Sequence, residues 1–221
     1  MTPDQVEAAA LALFQADQSG RQIGLLSQAY PDAGLTEAYA VQAALLRHKR
    51  AGRARVIGYK IGLTSRAMQM ALNITTPDSG VLLDDMLFAN GATVPAGRFI
   101  QPRIEAEIAF VMKAPLKGAD ITRADVLAAT DYVAPSLEIL DTRVQRADPV
   151  TGKARTIFDT ISDNAANAGI VLGAERHAPD SVDLRWTGAI LKRDGVVEET
   201  GLGAGVLDDP ATGILWLVHR L

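Results

Sequence analysis

Residues 103–110 read RIEAEIAF, with two glutamates one residue apart in a run that is otherwise mostly apolar. In a β-strand, side chains alternate between faces with period two. Glu105 and Glu107 then share one face, and Ile104, Ala106, Ile108 and Phe110 the other. Two like charges side by side repel unless their face is fully wet, so the pair requires either a proton or a neighbouring cation. The alternation predicts a strand, and the glutamates pose a chemical question.

The neighbouring sequence has the same texture. From Val56 onward, short β-type runs are separated by glycine and proline: VIGYKIGL, GVLLDDMLF, ATVPAG, IEAEIAFVM, YVAPSLEIL and AGIVLG. LRWTGAILKRDGVVEETG adds a hairpin turning at Asp194-Gly195, a strong short-range turn signal. Thr122 and Asp125 form a helix-start signature ahead of VLAAT. The first residues differ in character. Thr2 and Gln5 suit a capping box, Pro3 suits the first helical position, and residues 3–16 are predicted to be helical. A second helix is predicted from near Thr36, carrying Tyr39, Val41, Leu45 and Leu46 and ending at Gly52. PATGILWLVHRL predicts a closing helix after the loop GLGAG. These signals give an α+β chain forming one functional domain, with an N-terminal helical region over 1–55 and a β-rich body over 56–221.

The 221 residues carry a formal charge of -4 with no basic block, which leaves no electrostatic footprint for nucleic acid or an anionic membrane. There is no cysteine, which excludes disulfides, thiolate nucleophiles and cysteine-type zinc sites. The N-terminus lacks an export signal and no apolar run is long enough to span a bilayer. The expected partner is a small molecule or another protein, in the cytoplasm.

A third acid, Glu138, interrupts the apolar run YVAPSLEIL on the face shared by Tyr132, Ala134 and Ser136. If these strands are neighbours, Glu105, Glu107 and Glu138 converge as an all-oxygen set suited to Mg2+, with Mn2+ as the alternative. The competing reading is the solvated face of a half-buried sheet. Lys60 is either an edge-strand gatekeeper or a charge pointing into a pocket. Asp78 falls at a turn, where aspartates usually cap locally. DTISDNAANAG, residues 159–169, suits a binding loop or an Asx-rich turn. GLGAG lacks the spacing of a dinucleotide fingerprint, and both tryptophans are assigned to the core.

GYKIGLTS, PDSGVLLDDM, RIEAEIAFV, ATDYVAPSLEILDTR, FDTISDNAANAG and EETGLGAGVL, in this order, closely resemble the hydratase and decarboxylase branch of the fumarylacetoacetate hydrolase superfamily. The resemblance covers nearly the whole chain. It implies a mixed β-roll or barrel-like body, a Mg2+-dependent site and homo-oligomers. It also implies that Glu105, Glu107 and Glu138 hold the metal, that Lys60 and Asp78 handle substrate and protons, and that Ser162 touches the substrate. Two departures stand out. Relatives often carry a larger residue where this chain has Ser79, and they continue past the position of Leu221 through further β-strands, so the C-terminal strands are expected to be missing.

The resemblance therefore implies water addition at C4 of an unsaturated 2-oxo acid. A second carboxylate at the far end of the substrate would need cations, and LDTRVQRADPVTGKART supplies Arg143, Arg146, Lys153 and Arg155. The expected substrate is a seven-carbon 2-oxo diacid rather than the five-carbon monoacid. Alternatives are a decarboxylase of the same family, a non-catalytic partner subunit of a decarboxylase complex, and a glycosidase. The last is disfavoured because same-strand neighbours cannot flank opposite sides of a sugar bond.

Overall fold

The computed structural model describes residues 1–71 and 74–221. In chain order, its helices are α1 (Pro3–Ser19), α2 (Leu26–Ala29), α3 (Leu35–Ala51), α4 (Arg66–Ala71), α5 (Arg123–Ala129), α6 (Ile157–Ser162) and α7 (Pro210–Arg220). Its strands are β1 (Val56–Gly62), β2 (Asp78–Leu83), β3 (Leu87–Phe88), β4 (Arg103–Met112), β5 (Thr130–Leu140), β6 (Asn167–Leu172), β7 (Gly188–Arg193) and β8 (Val196–Leu202). The architecture is mixed α+β. Strands β1 and β2 form one sheet, β3, β6, β5 and β4 follow one another in a second, and β7 pairs with β8. Among the described residues no helix is long and apolar enough to cross a membrane.

The chain divides into two compact units. The first comprises Met1–Lys60, Ser79–Ile104 and Glu138–Ile170. Its helical layer begins as the sequence predicts. The Thr2 hydroxyl accepts from the Gln5 amide, the Gln5 side chain accepts from the Thr2 amide, and Gly20 closes α1 with φ 66°. Ala9, Ala10 and Leu13 of α1 pack with Ala38, Val41, Ala44 and Leu45 of α3, and Phe158 and Ile161 of α6 join them. Small alanines on the facing stripes let the helices approach closely. Leu13 and Leu45 are fully buried, so truncating either to alanine is worth about 2–5 kcal/mol.

The second unit comprises Ile61–Asp78, Glu105–Leu137 and Val171–Leu221. The hairpin turns where predicted, with Asp194 at φ 52° and Gly195 at φ 83°, the two positive angles of a type I′ turn. Thr122 and Asp125 cap α5 reciprocally. The Arg123–Asp209 ion pair at 2.7 Å links the start of α5 to the cap of α7.

Three expectations are corrected. ATVPAG forms turns and irregular chain, not a strand; its Pro95 has no N–H to give a ladder. Residues 159–169 form no loop: they complete α6, make a buried 3-10 turn at Asn164–Ala166 and enter β6. Several of their polar side chains are bonded inside the protein: Asp159 accepts from the Ser27 amide, Asp163 from the Arg143 amide, and Asn164 pairs with Val81. Trp186 is 72% exposed and is not a core residue.

Candidate metal centre and its surroundings

Glu105 and Glu107 stand on β4 and Glu138 on β5, the strand beside it in the sheet. Each offers one carboxylate oxygen, and the three oxygens lie within 4.8 Å of one another. Glu138 is 4% exposed, whereas the other two are exposed. Three hard oxygens at this separation can bind an octahedral dication, with water or substrate taking the remaining positions. The donor set therefore fits Mg2+.

Lys60, Ala165 and Asn167 lie with Glu138 in the first unit. Lys60 Nζ lies 3.4 Å from Glu138 Oε2 and donates to the Ala165 carbonyl at 3.5 Å. Asn167 Nδ2 donates to Glu138 Oε1 at 2.7 Å. Ala165 belongs to an unusual turn: Asn164, Ala165 and Ala166 all have positive φ, at 54°, 52° and 57°. Non-glycine residues in this left-handed region each cost on the order of 1–3 kcal/mol and persist where the surroundings over-determine them. Here the Asn164 side chain accepts from the Val81 amide at 2.8 Å and donates to the Val81 carbonyl at 2.9 Å. The Ala166 carbonyl accepts from the Asp141 amide.

Ser162, the last residue of α6, is fully buried, and its Oγ has no hydrogen-bond partner among the described residues. Asp78 is buried at the start of β2. Gln42 of α3 donates to the carbonyls of Ser79 and Ile161 at 2.9 and 3.1 Å, and the Ser79 amide donates to Tyr39 Oη. Gln42, Asn164 and Asn167 were not singled out from sequence. Gln42 carries a signal as a polar residue on the apolar stripe of Ala38, Val41 and Leu45, and Asn164 and Asn167 lie in the polar run 159–169 that the sequence marks only as a binding loop or turn.

The loop arginines occupy different environments. Arg143 is 1% exposed, and its Nε meets Asp163 Oδ1 at 2.6 Å while Nη2 donates to the Asp163 carbonyl at 2.8 Å. Arg146 donates to Gln101 Oε1 at 3.0 Å and Arg155 to Thr142 Oγ1 at 2.9 Å, both neutral partners. Burial, followed by the charges of Arg103 and Arg155, holds the Arg146 guanidinium below the usual arginine range. Burial lowers Arg155 as well, with Asp163 opposing and Arg103 adding to the effect. Cations that repel one another in this way would be relieved by an anion.

No protein-family model matches the chain. It is 51% identical over 209 residues to 2-oxo-hept-4-ene-1,7-dioate hydratase of Escherichia coli, across 95% of this chain and 78% of that relative. It is 39% identical over 221 residues to 2-keto-4-pentenoate hydratase of Paraburkholderia xenovorans (strain LB400), across 100% and 80% of the two chains. Among solved structures, 4-oxalocrotonate decarboxylase from Pseudomonas putida G7, complexed with magnesium and adipate, superposes with a TM-score of 0.91 at 33% identity, covering 100% of this chain and 82% of that one.

Proposed function

The chain belongs to the hydratase and decarboxylase branch of the fumarylacetoacetate hydrolase superfamily, and on that footing we propose that it is a divalent-metal-dependent hydro-lyase. Its substrate is 2-oxohept-4-ene-1,7-dioate, handled as its dienol tautomer 2-hydroxyhepta-2,4-dienedioate, and its product is 4-hydroxy-2-oxoheptanedioate. The observation that carries this is the convergence of three carboxylate oxygens within 4.8 Å, in a chain 51% identical to a hydratase named for that substrate. The barrel-like β-roll, homo-oligomeric assembly and a cytoplasmic location belong to the same proposal.

Glu105, Glu107 and Glu138 would hold Mg2+, or Mn2+ in its place, and the bound ion would supply Lewis acidity and a template for the carboxylate and C2 oxygen of the 2-oxo acid. The chain's own groups perform the remaining steps. Lys60, its ammonium tethered to Glu138 and the Ala165 carbonyl, and Asp78 carry the proton transfers. The dienol hydroxyl loses a proton and C5 gains one, leaving a 2-oxo-3-ene whose C4 is electrophilic. Water then adds its oxygen at C4, and C3 takes the second proton. Ser162 Oγ, buried without a hydrogen-bond partner among the described residues, gives a hydrogen bond to a substrate oxygen.

The far carboxylate is assigned to the cationic loop. Arg146 and Arg155 meet it with donors that face no carboxylate within ion-pairing distance among the described residues. Arg143 adds its charge while its guanidinium stays on Asp163.

The test follows the ultraviolet loss of the dienol with five-, six- and seven-carbon substrates, with and without chelator, and identifies each product. The seven-carbon diacid should be hydrated fastest, with activity lost in chelator. Carbon dioxide release from 2-oxo-3-hexenedioate as the main reaction would overturn hydration in favour of decarboxylation. Equal turnover of the five-carbon monoacid after Arg146→Ala and Arg155→Ala, with an unchanged KM for the diacid, would remove the loop from specificity.

A further inference from the structure

We infer that Asn167 is a positioning residue that fixes the Glu138 carboxylate toward the ion, an assignment that rests on the metal site proposed above. Asn167 is 0% exposed, and its Nδ2 reaches Glu138 Oε1 at 2.7 Å. An ionised carboxylate only accepts hydrogen bonds, so the amide must present its nitrogen. Its oxygen is then left buried with no hydrogen-bond partner among the described residues. A buried amide oxygen without a donor is unfavourable, and an apolar residue of similar size would avoid that cost. Asparagine supplies the one thing such a residue lacks, a donor aimed at Glu138.

The terminal torsion of a glutamate is soft, so a carboxylate with one free oxygen swings readily. Glu138 is restrained at both oxygens, by Asn167 at Oε1 and by Lys60 at Oε2. The amide is itself placed by the backbone. Asn167 directly follows the left-handed turn Asn164–Ala166, and its carbonyl accepts from Arg143 Nη2 at 3.3 Å, on the guanidinium that grips Asp163. A buried run from Asp163 through Arg143 and Asn167 thus ends on one carboxylate. Groups that orient a metal ligand from behind typically change metal affinity by about 10–100-fold when removed.

The experiment measures Mn2+ dissociation constants from the electron paramagnetic resonance signal of the free ion, together with metal-free thermal melts. Wild type, Glu138→Gln, Asn167→Leu and Asn167→Ser are compared. Glu138→Gln should weaken binding. Asn167→Leu should raise the dissociation constant about 10–100-fold, with a metal-free Tm no lower than that of wild type, a combination that a merely structural role would not produce. Asn167→Ser, which stops short of the carboxylate, should raise it similarly and serves if the leucine variant does not fold. In turnover, the Asn167 variants should recover kcat as metal is raised. A wild-type dissociation constant in a folded Asn167 variant while Glu138→Gln is weakened overturns the inference alone, as does failure of both variants to fold. Mn2+ binding that ignores Glu138→Gln overturns the metal site and the inference with it.

Discussion

A Cβ added to Gly80 would lie 2.7 Å from the Asn164 carbonyl oxygen and 3.1 and 3.2 Å from Cγ and Cδ of Lys60. The lysine stem can yield, but the carbonyl belongs to the left-handed turn that is pinned to Val81 and cannot. Gly80 is therefore required by close approach. Gly80→Ala should destabilise the protein by about 1–3 kcal/mol through overpacking and lower kcat by moving Lys60, which urea melts and steady-state kinetics would check; unchanged values in both would show that the turn yields freely. Arg143 obeys a different constraint. Burial alone would lower its pKa, but Asp163 and Asp17 outweigh it and hold the guanidinium above the ordinary arginine range. Removing it leaves the buried Asp163 without its partner. Arg143→Met should cost about 3–5 kcal/mol, and adding Asp163→Asn should recover part of that; a double variant no more stable than the single one would sink the account.

Helices α1 and α3 are joined by charge as well as by alanine packing. Asp17 meets Lys49 Nζ at 2.6 Å and lies 3.8 Å from Arg143 Nη1. Burial raises the Asp17 pKa, but Lys49 and Arg143 outweigh it and the carboxyl is held below its ordinary value. A carboxyl depressed in the folded state contributes stability that is present above its unfolded pKa, about 3.9, and is lost as pH falls through the lower folded value. Wild type should thus lose stability below about pH 4 more steeply than Asp17→Asn, as read by denaturant melts across pH 2 to 6; parallel curves would show that the pair contributes nothing. Elements with local signals were legible in the sequence. The caps of α1 and α5 and the Asp194-Gly195 turn are each specified within a few residues. Helix α6 had such a signal in Thr156-Ile157-Phe158-Asp159, where the Asp159 carboxylate accepts from the Thr156 amide and hydroxyl, but the polar run after it pointed to a binding loop or an Asx-rich turn. That run is satisfied from far away: the Asp159 carboxylate accepts from the Ser27 amide, and the Asn164 side chain bonds Val81. ATVPAG shows the reverse, β-type composition with no strand to join.

The same distinction of range governs the site across the whole chain. Glu105 and Glu107 were legible because period-two alternation is local, and Glu138 because it broke an apolar run. Gln42 and Asn167 were not, because their partners are remote: Gln42 reaches Ile161 at a sequence separation of 119 and Asn167 reaches Glu138 at 29. No short window contains both ends of such a bond. If the three carboxylates hold the proposed ion, their gathering in the folded chain and scattering in the unfolded one would make that ion a stabiliser of the whole molecule. With negligible affinity for the unfolded chain, Mg2+ at 100 times its dissociation constant should add about 2.7 kcal/mol of stability. For a chain of this size each kcal/mol moves Tm by roughly 2–4 °C, so the melt should rise by roughly 5–11 °C. Glu138→Gln should lose most of that rise while leaving a cooperative melt. Should Mg2+ leave the wild-type Tm in place, or shift the variant equally, the three acids do not share an ion and the repulsion between Glu105 and Glu107 is relieved in another way.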